Sequence, residues 1–252
     1  MYGMILVGTA GSGKSLLTNA LSGFLRAKDL DVITVNLDPG VIGLPYEPDV
    51  DIRNLITVTE IMEKYSLGPN GAMIMASDLL AVKLDEINDE IVQLKPEYVL
   101  VDTPGQMELF AFRASGPYVA RGLSFEKRLV LYLFDAVFSN EPLNFVSNLF
   151  LFAAVYNRFV LPQYPVLSKV DLLPPEEIDK IVLWSEDPGE LELAMQSQLT
   201  GDARLLSRDL LNAITRLGLY YTLTAVSATT QEGLVDLDAE IQRQFRGGEE
   251  ID

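Results

Sequence analysis

The chain has 252 residues, 48% of them hydrophobic, which is enough for one large domain with a well-buried core and too apolar for a disordered chain. It has no cysteine and no histidine, which excludes disulfides, thiolate or imidazole chemistry and histidine-ligated metals; any metal site would be all oxygen, as Mg2+ prefers. Its 36 acidic residues against 19 basic ones give a net charge of −17, and without a Lys/Arg cluster this argues against nucleic acid as a direct partner.

Met4-Ile5-Leu6-Val7 reads as a buried strand. It lacks a basic leader and a cleavage site, so no signal peptide is expected. Gly8-Thr9-Ala10-Gly11-Ser12-Gly13-Lys14-Ser15 follows and opens a helix over Lys14–Ala27. This is the full phosphate-loop pattern G-x-x-x-x-G-K-[ST] in its proper strand-to-helix context. Its glycines let backbone N–H groups turn towards a phosphate, and the helix N-terminus adds partial positive charge. Gly11, Ser12, Gly13, Lys14, Ser15 and Leu16 are therefore candidate phosphate binders, with Ser15 also a candidate Mg2+ ligand. A second strand, Asp31–Val35, runs into Asn36-Leu37-Asp38-Pro39-Gly40. Asp38 is then a candidate for positioning water or for the metal, against the plainer reading of an Asp-Pro-Gly turn.

Thr57-Val58-Thr59-Glu60 is a capping box, predicting a helix over Thr57–Tyr65. Gly68-Pro69-Asn70-Gly71 reads as a turn into a second inserted helix, Ala72–Leu94, with Pro fixing φ and Asn tolerating left-handed geometry. A strand at Tyr98–Val101 ends in Asp102-Thr103-Pro104-Gly105-Gln106. An acid there can hold the Mg2+ water shell, the Gly105 N–H can meet a γ-phosphate, and Gln106 can orient a water. Next come a helix at Glu108–Arg121, a strand at Leu129–Phe134 and a core helix at Leu143–Arg158. The apolar stretch from Leu149 to Val160 falls well short of the roughly 20 residues that span a bilayer, so no membrane is expected.

The strand at Tyr164–Leu167 leads to Ser168-Lys169-Val170-Asp171. A carboxylate at Asp171 can accept from the N1–H and the exocyclic amine of guanine, a pair adenine lacks, while the Lys169 stem packs along the base. Helices at Glu176–Ser185 and Ala203–Leu217 and a strand at Tyr220–Ala225 precede Ser227-Ala228, a second base-side loop with an N–H for guanine O6. A last helix, Glu232–Phe245, ends in a polar tail, 247–252, expected to fray. The alternation of strand and helix predicts a doubly wound α/β sandwich with a parallel sheet, one domain over 1–246. Each motif lies at the C-terminal end of a strand, where open α/β sheets bind ligands.

Taken in order, the phosphate loop, Asp38-Pro39-Gly40, Gly68-Pro69-Asn70, Asp102-Thr103-Pro104-Gly105-Gln106 and Ser168-Lys169-Val170-Asp171 resemble the GPN-loop GTPases, from the N-terminus through about residue 230. The resemblance implies a P-loop NTPase three-layer sandwich with a mainly parallel sheet, GTP/GDP and Mg2+ as ligands, and a homodimer. In it each Gly-Pro-Asn loop enters the partner's nucleotide site, where Asn70 contacts phosphate. It also implies a protein client, since eukaryotic members are implicated in RNA polymerase assembly. The short C-terminus resembles an archaeal-type, single-domain member. One position departs from GTPases generally: Ser168 stands where Asn is usual, which rests guanine preference on Asp171 and leaves open how the base loop is tethered.

The expected chemistry is Mg2+-dependent hydrolysis of GTP by a cytoplasmic molecular switch. Ser15, and Asp102 through water, hold the metal, with Asp38 also in reach; Lys14 and the loop amides stabilise charge, and Asp38 or Gln106 positions the water. Arg53 and Arg113 are the nearest arginine-finger candidates, and each reads better as a structural ion-pair partner. Two other classes stay open: an ATP-dependent ATPase or kinase on the same loop, and a GTP-binding scaffold with little turnover.

Overall fold

Residues 1–198, 209–213, 216 and 221–246 are described in the computed structural model. Its strands are β1 (Tyr2–Gly8), β2 (Val32–Asn36), β3 (Val50–Asp51), β4 (Tyr98–Asp102), β5 (Lys127–Asp135), β6 (Gln163–Ser168) and β7 (Thr224–Val226). They form one sheet in the order β3-β2-β4-β1-β5-β6-β7, and every pairing is parallel.

Strand alternation sorts the side chains between two cores. Met4, Leu6, Leu100 and Leu131 pack on the face covered by α1 (Lys14–Arg26) and the last helix, α11 (Leu234–Arg246), through Leu17, Leu21, Leu237 and Ile241. Ile5, Val7, Val99, Val101, Tyr132 and Phe134 face the other way. There they meet α2 (Val58–Tyr65), α3 (Pro69–Val82), α4 (Leu84–Leu94), α5 (Met107–Phe110) and α6 (Ser115–Gly122), then α7 (Ala136–Ser139), α8 (Pro142–Phe159), α9 (Pro175–Glu186) and α10 (Pro188–Gln198). A sheet apolar on both faces needs a helical layer on each, hence the three-layer sandwich.

Several elements differ from expectation. Gly-Pro-Asn is not a free turn: Gly68 is the N-cap of α3 and Pro69 its first residue, a position where the missing N–H costs nothing. The left-handed residue is Ser66 (φ 52°), closing α2. The helix expected over Ala72–Leu94 is two, because Lys83 (φ −92°, ψ 5°) breaks the ladder between α3 and α4. The helix expected over Glu108–Arg121 restarts at Ser115, which puts Pro117 in a first turn; in a continuous helix its ring would meet the carbonyl of Arg113. The two-residue edge strand β3 is too short to leave a pattern, and α10 starts at Pro188-Gly189, which reads as a breaker. The last strand begins at Thr224 and not Tyr220, which lies outside the described residues. The tail at 247–252 and most of the expected helix Ala203–Leu217 also lie outside them; residues 209–213 and 216 are helical. α8 buries Phe145, Leu149, Phe152, Val155 and Phe159, as a core helix should. Among the described residues no helix is long and apolar enough to cross a membrane.

Candidate functional site

The register places the motifs side by side. Leu6, two residues before the end of β1, stands opposite Asp102, and Asp102 stands opposite Asn36. On the other flank Asp135 pairs with Ser168, and Ser168 with Val226. All five motif loops, after β1, β2, β4, β6 and β7, thus leave the C-terminal end of the sheet.

In the phosphate loop Gly11 (φ 78°) and Gly13 (φ 93°) hold left-handed conformations that other residues adopt only with strain. Gly13 caps α1, and the first intrahelical bond runs from the Leu17 N–H to the Gly13 carbonyl at 2.8 Å. The N–H groups of Lys14, Ser15 and Leu16 precede that bond and no side chain caps them, so they present a cradle for an anion. Lys14 is buried, and its ammonium donates to the carbonyls of Gly8 (3.0 Å), Thr9 (3.0 Å) and Gly105 (3.3 Å). Burial lowers its pKa, against the pull of Asp102, Asp38 and Glu108.

Asp102 closes β4 and is 1% exposed. Its Oδ2 accepts from the Tyr46 hydroxyl at 3.0 Å, while Oδ1 is buried without a hydrogen bond of normal geometry. Burial pushes its pKa up to about 6, and the Ser15 and Tyr46 hydroxyls and the Lys14 ammonium hold it from rising further. An unsatisfied carboxylate oxygen beside a serine hydroxyl fits Mg2+, which takes few protein ligands and keeps its waters and substrate phosphates. Among the described residues no three acidic side chains gather into a metal cage.

Asp38 makes different use of its oxygens. Oδ1 accepts from the Gly40 N–H (2.9 Å) and Oδ2 from the Gly105 N–H (2.8 Å). The N–H expected to meet a γ-phosphate is therefore given to Asp38, and Gly105 is held on both sides, its N–H by Asp38 and its carbonyl by Lys14. Asp38 donates its own N–H to Asn36 Oδ1 (3.0 Å), and Asn36 Nδ2 donates to Asp51 (2.9 Å). Arg53 forks onto Asp51 from Nε (2.9 Å) and Nη2 (2.6 Å); burial alone would raise the Asp51 pKa, but these bonds hold it below the usual range. Arg113 pairs likewise with Asp78 at 2.6 Å. Both arginines are thus held in ion pairs within their own chain. Gln106 is exposed at the N-cap of α5 and makes no capping bond, and Gly68, Pro69 and Asn70 are exposed at the start of α3.

At the far end a cavity of about 130 Å³ is lined by Gly13, Leu16, Lys169, Asp171, Ala228 and Thr229, with room for several waters. Lys169 is left-handed (φ 61°) and its ammonium pairs with Asp135 at 2.7 Å. The Ser168 hydroxyl reaches the Ser12 carbonyl (2.7 Å) and the Phe134 carbonyl (3.0 Å). The base loop is thereby tied to the phosphate loop without the usual Asn. The Ser227 N–H, in the loop expected on the base side, instead donates to the Glu232 carbonyl (3.0 Å). Sequence reasoning missed Tyr46, which no motif marks, and Thr229; Thr103, inside a quoted motif, proves structural, its hydroxyl donating to the Leu6 carbonyl at 2.6 Å.

The family model described as "Conserved hypothetical ATP binding protein" matches residues 6–247. The GPN-loop GTPase PAB0955 of Pyrococcus abyssi is 36% identical over 93% of this chain and 94% of its own. Its crystal structure, of a GTPase in apo form, superposes with a TM-score of 0.84 over 97% of each chain. GPN-loop GTPase 1 of Saccharomyces cerevisiae is 31% identical over 79% of this chain, which spans 52% of that longer protein. With near-complete coverage by the family model and by an archaeal relative, and with the motifs gathered at the C-terminal end of the sheet, the chain belongs to the GPN-loop GTPase family.

Proposed function

We propose that the chain binds GTP with Mg2+ and hydrolyses it to GDP and phosphate as a homodimeric switch acting on a protein client. The observation that carries this reading is the linkage of the three nucleotide-facing loops: Lys14 joins the phosphate loop to Gly105, and Ser168 joins it to the base loop. Bound Mg2+ would supply positive charge to neutralise what develops on the phosphates. Ser15 and Asp102 would hold it. Lys14 is placed to turn from backbone carbonyls to phosphate oxygens, and the Gly105 N–H to pass from Asp38 to the γ-phosphate. That exchange would free the Asp38 carboxylate to position water, a task of orientation more than of proton removal.

The Gly-Pro-Asn segment supports a second copy as its partner. Gly68 has φ −73°, and a Cβ built there meets nothing within 4 Å, so beyond its N-cap place neither backbone geometry nor crowding among the described residues calls for glycine. Close approach of another backbone would call for it. The family model's description names ATP, whereas Asp171 in the cavity lining could accept from the two guanine donors, a pair adenine lacks.

A nucleotide panel decides between them. Phosphate release with Mg2+ should be faster from GTP than from ATP. In Asn70→Ala it should fall at least tenfold while the unfolding midpoint, set by a buried core that exposed Asn70 does not touch, stays put. A preference for ATP would overturn the base assignment, and equal rates in the two proteins would return Asn70 to a plain helix-start residue.

A further inference from the structure

We propose that Tyr46 is the positioning residue for Asp102: its hydroxyl fixes one carboxylate oxygen so that the other faces Ser15 and the metal-bound water it is to receive. The inference rests on the proposed Mg2+-nucleotide site and assigns it a residue from outside the recognised motifs. An aspartate carboxylate turns broadly about its last torsion, so a carboxylate that must present one oxygen needs a partner on the other. In Asp102 that division is complete. Oδ2 accepts from the Tyr46 hydroxyl at 3.0 Å, and Oδ1, equally buried, has no hydrogen bond of normal geometry.

The segment that carries Tyr46 is built to deliver it. Its start is pinned by the Asp38 carboxylate on the Gly105 N–H, and the Val41 carbonyl accepts from Arg53 at 3.3 Å. Its end is pinned at Asp49, whose Oδ2 accepts from the Thr34 N–H (2.8 Å) and hydroxyl (3.0 Å) and whose N–H returns to the Thr34 carbonyl (2.9 Å). Pro45 and Pro48 stiffen the stretch between. The ring belongs to neither hydrophobic core and is only half-buried, so packing does not explain a tyrosine here. A phenol puts a neutral donor on a stiff arm with two torsions, which suits an oxygen 56 residues away in sequence.

The test uses the full chain and Tyr46→Phe, which keeps the ring and removes the hydroxyl. Both proteins are loaded with a fluorescent GDP analogue, and its release is followed from EDTA to millimolar free Mg2+; Mn2+ affinity of the GDP complex is read in parallel by electron paramagnetic resonance. Wild type should hold the nucleotide longer as Mg2+ rises. The variant should need about tenfold more Mg2+ for half of that effect and bind Mn2+ about tenfold more weakly, the usual range for a lost outer partner of a metal ligand. Its release rate in EDTA should match wild type, and its unfolding midpoint should fall by no more than the roughly 3–6 °C that one buried acceptor left without its donor costs. An unchanged Mg2+ requirement in the variant would overturn the assignment alone. Faster release in EDTA by the same factor would make the role structural and overturn it as well. A wild type that ignores Mg2+ would overturn the metal site and this proposal together.

Discussion

Ser168→Ala tests whether a serine can do the work of the usual base-loop asparagine. The hydroxyl has one proton and two carbonyls in reach, Ser12 at 2.7 Å and Phe134 at 3.0 Å, so it contributes one shared hydrogen bond and not two. Ser168 is 4% exposed and Ser12 fully buried, so water cannot stand in for the lost donor. A buried acceptor stripped of its donor costs about 1–3 kcal/mol. At about 1.5 kcal/mol, a chain of this size loses roughly 3–6 °C from its unfolding midpoint. Calorimetry without nucleotide reads that number. The tether also joins the loops that hold opposite ends of the nucleotide, so GDP affinity should fall further, on the order of tenfold or 1.4 kcal/mol. A midpoint within about 1 °C of wild type, together with unchanged GDP affinity, would refute the tether.

Gly13→Ala forces a side chain into φ 93°, which costs about 1–3 kcal/mol and should abolish nucleotide binding before it unfolds the chain; binding with wild-type affinity would show that the loop needs no left-handed residue there. Asp102 gives a pH dependence of defined sign. With EDTA and no nucleotide, its folded pKa of about 6 against 3.8 for the free group means the folded chain keeps a proton that the unfolded chain has lost. Its contribution is whole below the unfolded value and is lost as pH rises through the folded one, levelling near neutrality at about 3 kcal/mol. Asp102→Asn should therefore gain on wild type in urea midpoint between pH 4 and pH 7, and a gap independent of pH would contradict the raised pKa.

Much of this was legible because strands buried on both faces leave continuous apolar runs, and because phosphate loops are read from spacing alone. The unbroken run Met4-Ile5-Leu6-Val7 marks a strand buried on both faces, and the fold sends Met4 and Leu6 to one core and Ile5 and Val7 to the other. Where the reading failed, the cause was tertiary. Ala76, Leu80, Leu84, Ile87 and Ile91 keep helical spacing across the break at Lys83, so the pattern of burial hides the end of α3. The Asp38–Gly105 bond and the Ser168–Ser12 bond each involve a backbone atom, and backbone atoms carry no signature in a sequence. Tyr46 lies in a stretch without periodicity, and only the folded sheet brings it to Asp102.

Asp38-Pro39-Gly40 shows how a correct motif can be right for an incomplete reason. As a turn signature its glycine should supply positive φ, yet Gly40 is not among the positive-φ residues. What a side chain at 40 would meet is its neighbour: a Cβ there would lie 2.6 Å from the sulfur of Met73, one turn after Asn70 on α3, and the thioether would have to shift. Val58, at the head of α2, donates its N–H to the Pro39 carbonyl at 3.3 Å, so the turn bearing Asp38 rests on both inserted helices. The segment beyond Gln106 rests there too, with Arg113 and Ser115 bonded to Asp78 of α3 at 2.6 Å and 3.2 Å. The exposed ion pair is worth little, and a flexible methionine gives way easily, so α3 is braced against these segments without being locked to them. The helix that starts with Gly-Pro-Asn is thus the floor under the Asp38 turn. The glycine at 40 and the helix that starts after Gly68, read as separate motifs, meet through Met73.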